Sequence, residues 1–233
     1  MKKPNIFFCV SNAKRILFVG LSIIFVLACI ITPTIILSQS KTYAYTVVID
    51  AGHGGIDGGC VGASGVEEST LNLEYSKTLK KYFSSYGFKV VMTRETENGL
   101  YSAFSKNKKK DDMQKRKEII QKANPNFVIS IHMNSYPSQS SRGAQVFYNK
   151  DSEASKNLAT SIQTEFQKNL VKPRKSALAG DYFIVGCSSA PTVIVECGFV
   201  SNPEEEKLLL SEEYRQKLCY SILCGAIMHF SWG

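Results

Sequence analysis

The chain has 233 residues, 44% apolar and 21% charged, with 28 lysines and arginines against 20 aspartates and glutamates. That length holds one sizeable α/β domain plus an extra segment, and that composition excludes an intrinsically disordered chain. The net charge of +8 is not a nucleic-acid signature: Lys2, Lys3, Lys14, Arg15 and Lys41 supply five of it before any acidic residue, and the mild +3 that remains suits an anionic polymer such as a cell wall.

Ile16 to Leu37 is apolar apart from a few small or hydroxyl residues. As a helix rising 1.5 Å per residue it would span roughly 33 Å, enough to cross a bilayer. The basic residues before it keep the N-terminus in the cytoplasm and send the rest outside. Thr42-Tyr43-Ala44 offers a cleavage site, so residues 1–44 read as a signal peptide or a retained membrane anchor, and 45–233 as one exported domain. The seven cysteines form no C-x-x-C pair and no regular framework, so they read as small core residues.

Tyr45 to Gly59, YTVVIDAGHGGIDGG, is an apolar strand that reaches Asp50 and then breaks into glycines around His53. The glycines lack the third position of a dinucleotide fingerprint, where Asp57 stands, and lack the Lys-Ser/Thr of a P-loop. Ser69 to Tyr86 has Leu71, Tyr75, Leu79 and Phe83 at helical spacing, with Ser69 or Thr70 as its cap, and Phe88 to Met92 is a second strand. Thr96 to Asp112, with the basic run Lys106 to Lys110, reads as an exposed excursion. Met113 to Ala123 predicts a helix stopped by Asn124-Pro125-Asn126, and Phe127 to Ile131 a buried strand running into His132.

Gly143 to Tyr148 predicts another strand, Ser152 to Leu170 an amphipathic helix, Tyr182 to Val185 a short strand, and Pro191 to Glu196 a last strand ending in a carboxylate. Pro203 to Leu210 and Glu212 to Phe230 close the chain as helices. Strands alternating with helices make a three-layer α/β sandwich with a mostly parallel, mixed central sheet.

Two of three histidines, His53 and His132, follow buried strands, and Glu196 holds the same kind of position. The crevice outside the carboxyl ends of such strands is the usual binding place. Two imidazoles and one carboxylate form a common catalytic zinc set, and Glu67 and Glu68 are the nearby carboxylates. Singly, each has a simpler reading: a loop histidine, an acid favouring a helix N-terminus, a glutamate paired with an arginine. Together they point to a metal site.

IDAGHGGIDGG, GVEESTLNLEYS, KRKEIIQKANPNFVISIHMNS and VIVECGFVSNPEEEKLL resemble, in the same order, the motifs of the zinc-dependent N-acetylmuramoyl-L-alanine amidases that cut bacterial peptidoglycan. The likeness covers Tyr45 to Phe230 and looks closest to the germination-specific amidases of endospore formers. It implies His53, Glu68 and His132 as Zn2+ ligands and Glu196 as the catalytic glutamate. Ser69-Thr70 stands where the family usually has Lys-Asp, and Glu68 is the carboxylate that these two residues separate from the helix's first apolar positions. The resemblance further implies a spore-cortex peptidoglycan substrate, preparation of muramic acid for δ-lactam formation, and action outside the cytoplasmic membrane. It leaves room for an accessory protein activator.

Rival readings are a zinc peptidase of related architecture and a non-catalytic wall-binding protein that keeps the fold. A serine or cysteine hydrolase is a poorer reading, because Gly62-Ala63-Ser64-Gly65-Val66 misses the last glycine of the nucleophile elbow and Cys197 follows Glu196 in packed strand or turn.

Overall fold

The computed structural model describes residues 17–23, 25 and 45–231, and the chain divides into units of residues 1–42 and 43–233. Residues 17–23 and 25 are helical, whereas most of the apolar segment Ile16 to Leu37 and the site at Thr42 to Ala44 lie outside the described residues. No helix among the described residues is long and apolar enough to cross a membrane.

In the second unit the elements run β1 (Thr46–Ala51), α1 (Glu68–Ser85), β2 (Lys89–Met92), α2 (Lys108–Ala123), β3 (Phe127–Asn134), β4 (Gln145–Tyr148), α3 (Glu153–Asn169), β5 (Leu178–Ala179), a 3-10 turn (Phe183–Gly186), β6 (Thr192–Phe199), α4 (Pro203–Leu210) and α5 (Glu212–Ser231). They build one six-stranded sheet in the order β2-β1-β3-β6-β4-β5. Only the β4–β6 pairing is antiparallel. The sheet is mixed and flanked by helices on both faces, as the alternation of elements predicts.

The period-two alternation of strand side chains sorts the two faces. Val47, Ile49, Phe127, Ile129, Ile131, Val193 and Val195 enter the larger core, with residues of α1, α3 and α5. Val48, Val128 and Ile194 face the smaller cluster, which Ile120 of α2 and Ile184, Val185 and Cys187 of the 3-10 turn complete. Asp50, Ser130, His132 and Glu196 alternate onto that second side, so the polar groups collect at the carboxyl end of the less heavily covered face.

Four expectations need correction. β3 and β6 do not stop at His132 and Glu196 but run on to Asn134 and Phe199. His132 pairs with Glu196, and Glu196 pairs with Gln145 of β4, so both are held in the ladder from neighbouring strands. The register then shifts by a bulge, a device common beside active sites.

The basic run is not simply a loop: α2 begins at Lys108. The Asn107 side chain caps it by accepting from the Lys110 amide, and Asp111 and Asp112 accept from the Ser102 and Leu100 amides. These ties order the preceding excursion, although lysines in a first turn oppose the helix dipole. Tyr182 to Val185 is not a strand: the Val185 amide bonds back to the Tyr182 carbonyl in a 3-10 turn, and the short edge strand is Leu178–Ala179.

Helix α1 begins one residue earlier than expected, at Glu68, with Glu67 at the cap position and no side-chain cap bond. Ser69 and Thr70 therefore lie inside its first turn.

Candidate metal centre

The glycine loop after β1 turns His53 into the left-handed backbone region at φ 58°, which a side chain other than glycine adopts only when its surroundings hold it. The holding groups are two buried guanidinium groups. Arg116 donates to the Ala51 and His53 carbonyls at 2.6 and 2.5 Å, and Arg94 donates to those of Ala51 and Gly52 at 2.9 and 2.8 Å. Asp50 in turn accepts from Arg116 at 2.7 Å, from Thr93 at 2.7 Å and from Ser130 at 2.6 Å. Burial pushes the Asp50 carboxyl up, but Arg116 and these hydroxyls reverse that and hold it at about 2.

His53 Nδ1 lies 3.0 Å from Asp57 Oδ1, and its Nε2 is 3.3 Å from Glu68 Oε1. A neutral imidazole that donates from Nδ1 to a carboxylate leaves Nε2 as a lone pair for a metal. His132 presents Nδ1 to the same Glu68 oxygen at 3.0 Å. The two rings meet edge to face with centroids 5.1 Å apart. Space for this exists because Gly52 and Gly59 have no side chain: a Cβ at Gly52 would come 2.3 Å from the His132 ring, and one at Gly59 2.5 Å from Glu68 Oε2.

Glu68 is buried and anchored from several sides. The Asn72 amide and the Met133 N–H donate to Oε1, each at 3.2 Å, and the Cys60 N–H donates to Oε2 at 3.0 Å. Burial raises its pKa, but hydrogen bonds and charge from His132 and His53 bring it well below the ordinary carboxylate range. Burial disfavours the charged form of His53, yet Glu68 and Asp57 raise its pKa on balance. Glu67 is exposed and takes no part in the cluster.

The ligand atoms of His53, Glu68 and His132 all lie within 4.8 Å of one another. Tetrahedral ligands at 2.0 to 2.2 Å from a metal stand about 3.3 to 3.6 Å apart. The 3.0 and 3.3 Å contacts to Glu68 approach that spacing, and two imidazoles with one carboxylate are a donor set that suits a divalent ion.

Glu196 stands beside His132 on the neighbouring strand and lines the same pocket of about 620 Å³ as the three donors. Its buried Oε2 has no hydrogen-bond partner. Burial pushes its carboxyl up to about 7; the two histidines oppose that rise and Glu68 adds to it. A poised carboxylate beside a cluster that fits a metal is the equipment of a hydrolase.

Residues 47–227 match the family described as N-acetylmuramoyl-L-alanine amidase. The chain belongs to that family. The amidase is 33% identical over 189 residues to the germination-specific N-acetylmuramoyl-L-alanine amidase of Bacillus subtilis, with 79% of each chain covered. Its fold superposes on the CwlD amidase from Clostridioides difficile, solved in complex with the GerS lipoprotein, with a TM-score of 0.78 and 34% identity, covering 81% of this chain and all of that one. The catalytic domain of CwlV from Bacillus (Paenibacillus) polymyxa matches with a TM-score of 0.71 and 27% identity over 80% of this chain and 98% of that one. The amidase is therefore a peptidoglycan hydrolase acting on the muramoyl amide.

The structure brings together all four residues singled out in the sequence and separates Glu68 from Glu67. It adds Asp57, Asn72 and the Asp50–Arg116–Arg94 network. The legible signal for part of that network was Asp112, Arg116 and Ile120, a mostly polar stripe on the buried side of α2.

Proposed function

We propose that the amidase hydrolyses the amide between the lactyl group of N-acetylmuramic acid and L-alanine in spore-cortex peptidoglycan, using Zn2+ held by His53, Glu68 and His132. The observation that carries this reading is the convergence of three ligand atoms beside the unpartnered carboxylate of Glu196. Bound there, zinc would supply Lewis acidity toward the amide carbonyl and bring the pKa of a water toward about 7.

The chain's own residues do the rest. Glu196 accepts the attacking water's proton at Oε2 and returns it to the departing amine nitrogen, freeing an L-alanine amino terminus. Asn72, Cys60 and Met133 fix the Glu68 carboxylate, and Asp57 fixes the His53 tautomer.

The cortex assignment is supported by the likeness to germination-specific relatives. There, removal of the peptide would prepare muramic acid for δ-lactam formation by a separate deacetylase. Residues 1–44 would serve as a signal peptide or membrane anchor, and residues 45–233 would act as the catalytic domain outside the cytoplasmic membrane. The relative solved with a lipoprotein supports an accessory protein partner for this chain also.

The test is zinc content together with new amino termini released from cortex peptidoglycan by the purified chain. Zinc-dependent release of L-alanine termini is the expected result; release untouched by chelation, or cleavage between amino acids, overturns the reading. Glu68→Gln is expected to weaken zinc binding about a hundredfold in chelator competition, and Glu67→Gln to change it less than about twofold. The reverse order would transfer the ligand role to Glu67.

A further inference from the structure

The catalytic pocket does not end at the four functional residues. Away from them its wall is built by Ile56, Tyr101, Lys109, Met113, Tyr182 and Phe183. A second cavity of about 410 Å³ shares Lys109, Met113 and Phe183 with it and adds Asn107, Lys110 and Gln114. The two form one groove leading from the catalytic residues across the start of α2.

The groove has both apolar and cationic lining. Ile56 and Phe183 are 69% and 52% exposed, more than a folding core explains, and both border the path. Lys109 and Lys110 line the same path, both beside Phe183 in the second cavity. Neighbouring charges are committed elsewhere: Asp112 to Arg116 and the Leu100 amide, Asp111 to the Ser102 amide, and Lys108 over the Tyr101 ring at 5.5 Å. Asp57 is held by His53 at 3.0 Å and meets Lys109 only at 3.7 Å, with the Lys109 side chain 77% exposed. Lys110 has no ion-pair partner among the described residues. Exposed pairs at such distances are weak, so both ammonium groups are free to meet an incoming anion.

We propose that this groove is the subsite for the acidic stem peptide, with Lys109 and Lys110 reading a free α-carboxylate one residue beyond the L-alanine. The inference rests on the amidase reading above, because that reaction places L-alanine at the catalytic end and sends the remaining peptide outward. Phe183 and Ile56 cover the apolar parts of the peptide, and the lysines supply charge selectivity rather than chemistry. An arrangement of rim charges sets which substrate binds more than it sets the rate of the bound complex.

The test compares two soluble muramoyl peptides that differ only in whether the second residue's α-carboxylate is free or amidated. Both are assayed with the full chain and with Lys109→Ala/Lys110→Ala. The unaltered chain is expected to prefer the free acid through KM. The double variant should raise KM for the acid about fivefold, leave kcat within about twofold, and treat the two peptides alike. Hydrolysis of both peptides by the unaltered chain without preference, or an equal rise in KM on both in the variant, overturns the subsite while leaving the amidase reading intact. No hydrolysis of either peptide by the zinc-loaded chain overturns both.

Discussion

Replacing Glu196 by glutamine is expected to leave fold and metal content unchanged and to lower kcat about a hundredfold to ten-thousandfold, the range that a positioned general base contributes. The substitution is nearly isosteric, and the backbone at this position is fixed by ladder pairing to His132 and Gln145. What changes is the ability to accept a proton. The carboxylate makes no hydrogen bond at Oε2, so its loss breaks no structural contact there. The base must be unprotonated, and burial holds its carboxyl near 7, so activity should fall as pH drops through that region. A cation bound nearby favours the charged form and moves the fall to lower pH. Amine release at matched zinc content is the measurement. Normal turnover by the glutamine variant would remove Glu196 from the mechanism.

His53, His132 and Glu196 were legible because each follows a run whose pattern is unambiguous. Val47 to Ile49, Phe127 to Ile131 and Val193 to Val195 are continuous apolar stretches, and continuous stretches read as strands covered on both faces. Their direction gives the edge at which His53, His132 and Glu196 collect. The detail that β3 and β6 continue past His132 and Glu196 was not legible, because ladder pairing depends on neighbours far away in the sequence.

The start of α2 escaped for a related reason. A lysine-rich segment scores as solvated surface, and nothing local reveals that Asn107 caps it or that Asp112 is drawn inward by Arg116. Choosing between Glu67 and Glu68 likewise required the helix to be placed, since only its first turn decides which carboxylate faces the histidines. Tyr182 to Val185 shows the limit of propensity: aromatic and β-branched residues suit a strand, yet Ile184 and Val185 are used to cover the smaller core from a 3-10 turn.

Arg116→Met is expected to destabilise the fold by about 3 to 5 kcal/mol, because removing one partner of a buried ion pair leaves the other uncompensated. Arg116 and Asp50 are both almost fully buried, 2% and 1% exposed, and each guanidinium nitrogen of Arg116 donates at least one hydrogen bond. The pair also carries a pH signature. Asp50 is depressed from 3.8 to about 2 in the fold, so its stabilisation is present above the unfolded pKa and is lost as pH falls from about 4 toward 2. The size is about 2 kcal/mol, and the variant should lose that part of the acid dependence.

A structural role alone would be satisfied by replacing the whole pair. The double variant Asp50→Leu/Arg116→Met is expected to recover part of the stability, as apolar substitutes for buried pairs often do. It should not recover metal affinity. The Ala51 carbonyl would keep Arg94, but the His53 carbonyl would still lack the Arg116 donor that holds His53 in its left-handed conformation, and a misplaced ligand weakens binding about tenfold to a hundredfold. Denaturant unfolding of the metal-free protein measures the first quantity, and chelator competition the second. Recovery of both together would reduce Arg116 to a packing residue, and recovery of stability alone makes it the residue that positions His53.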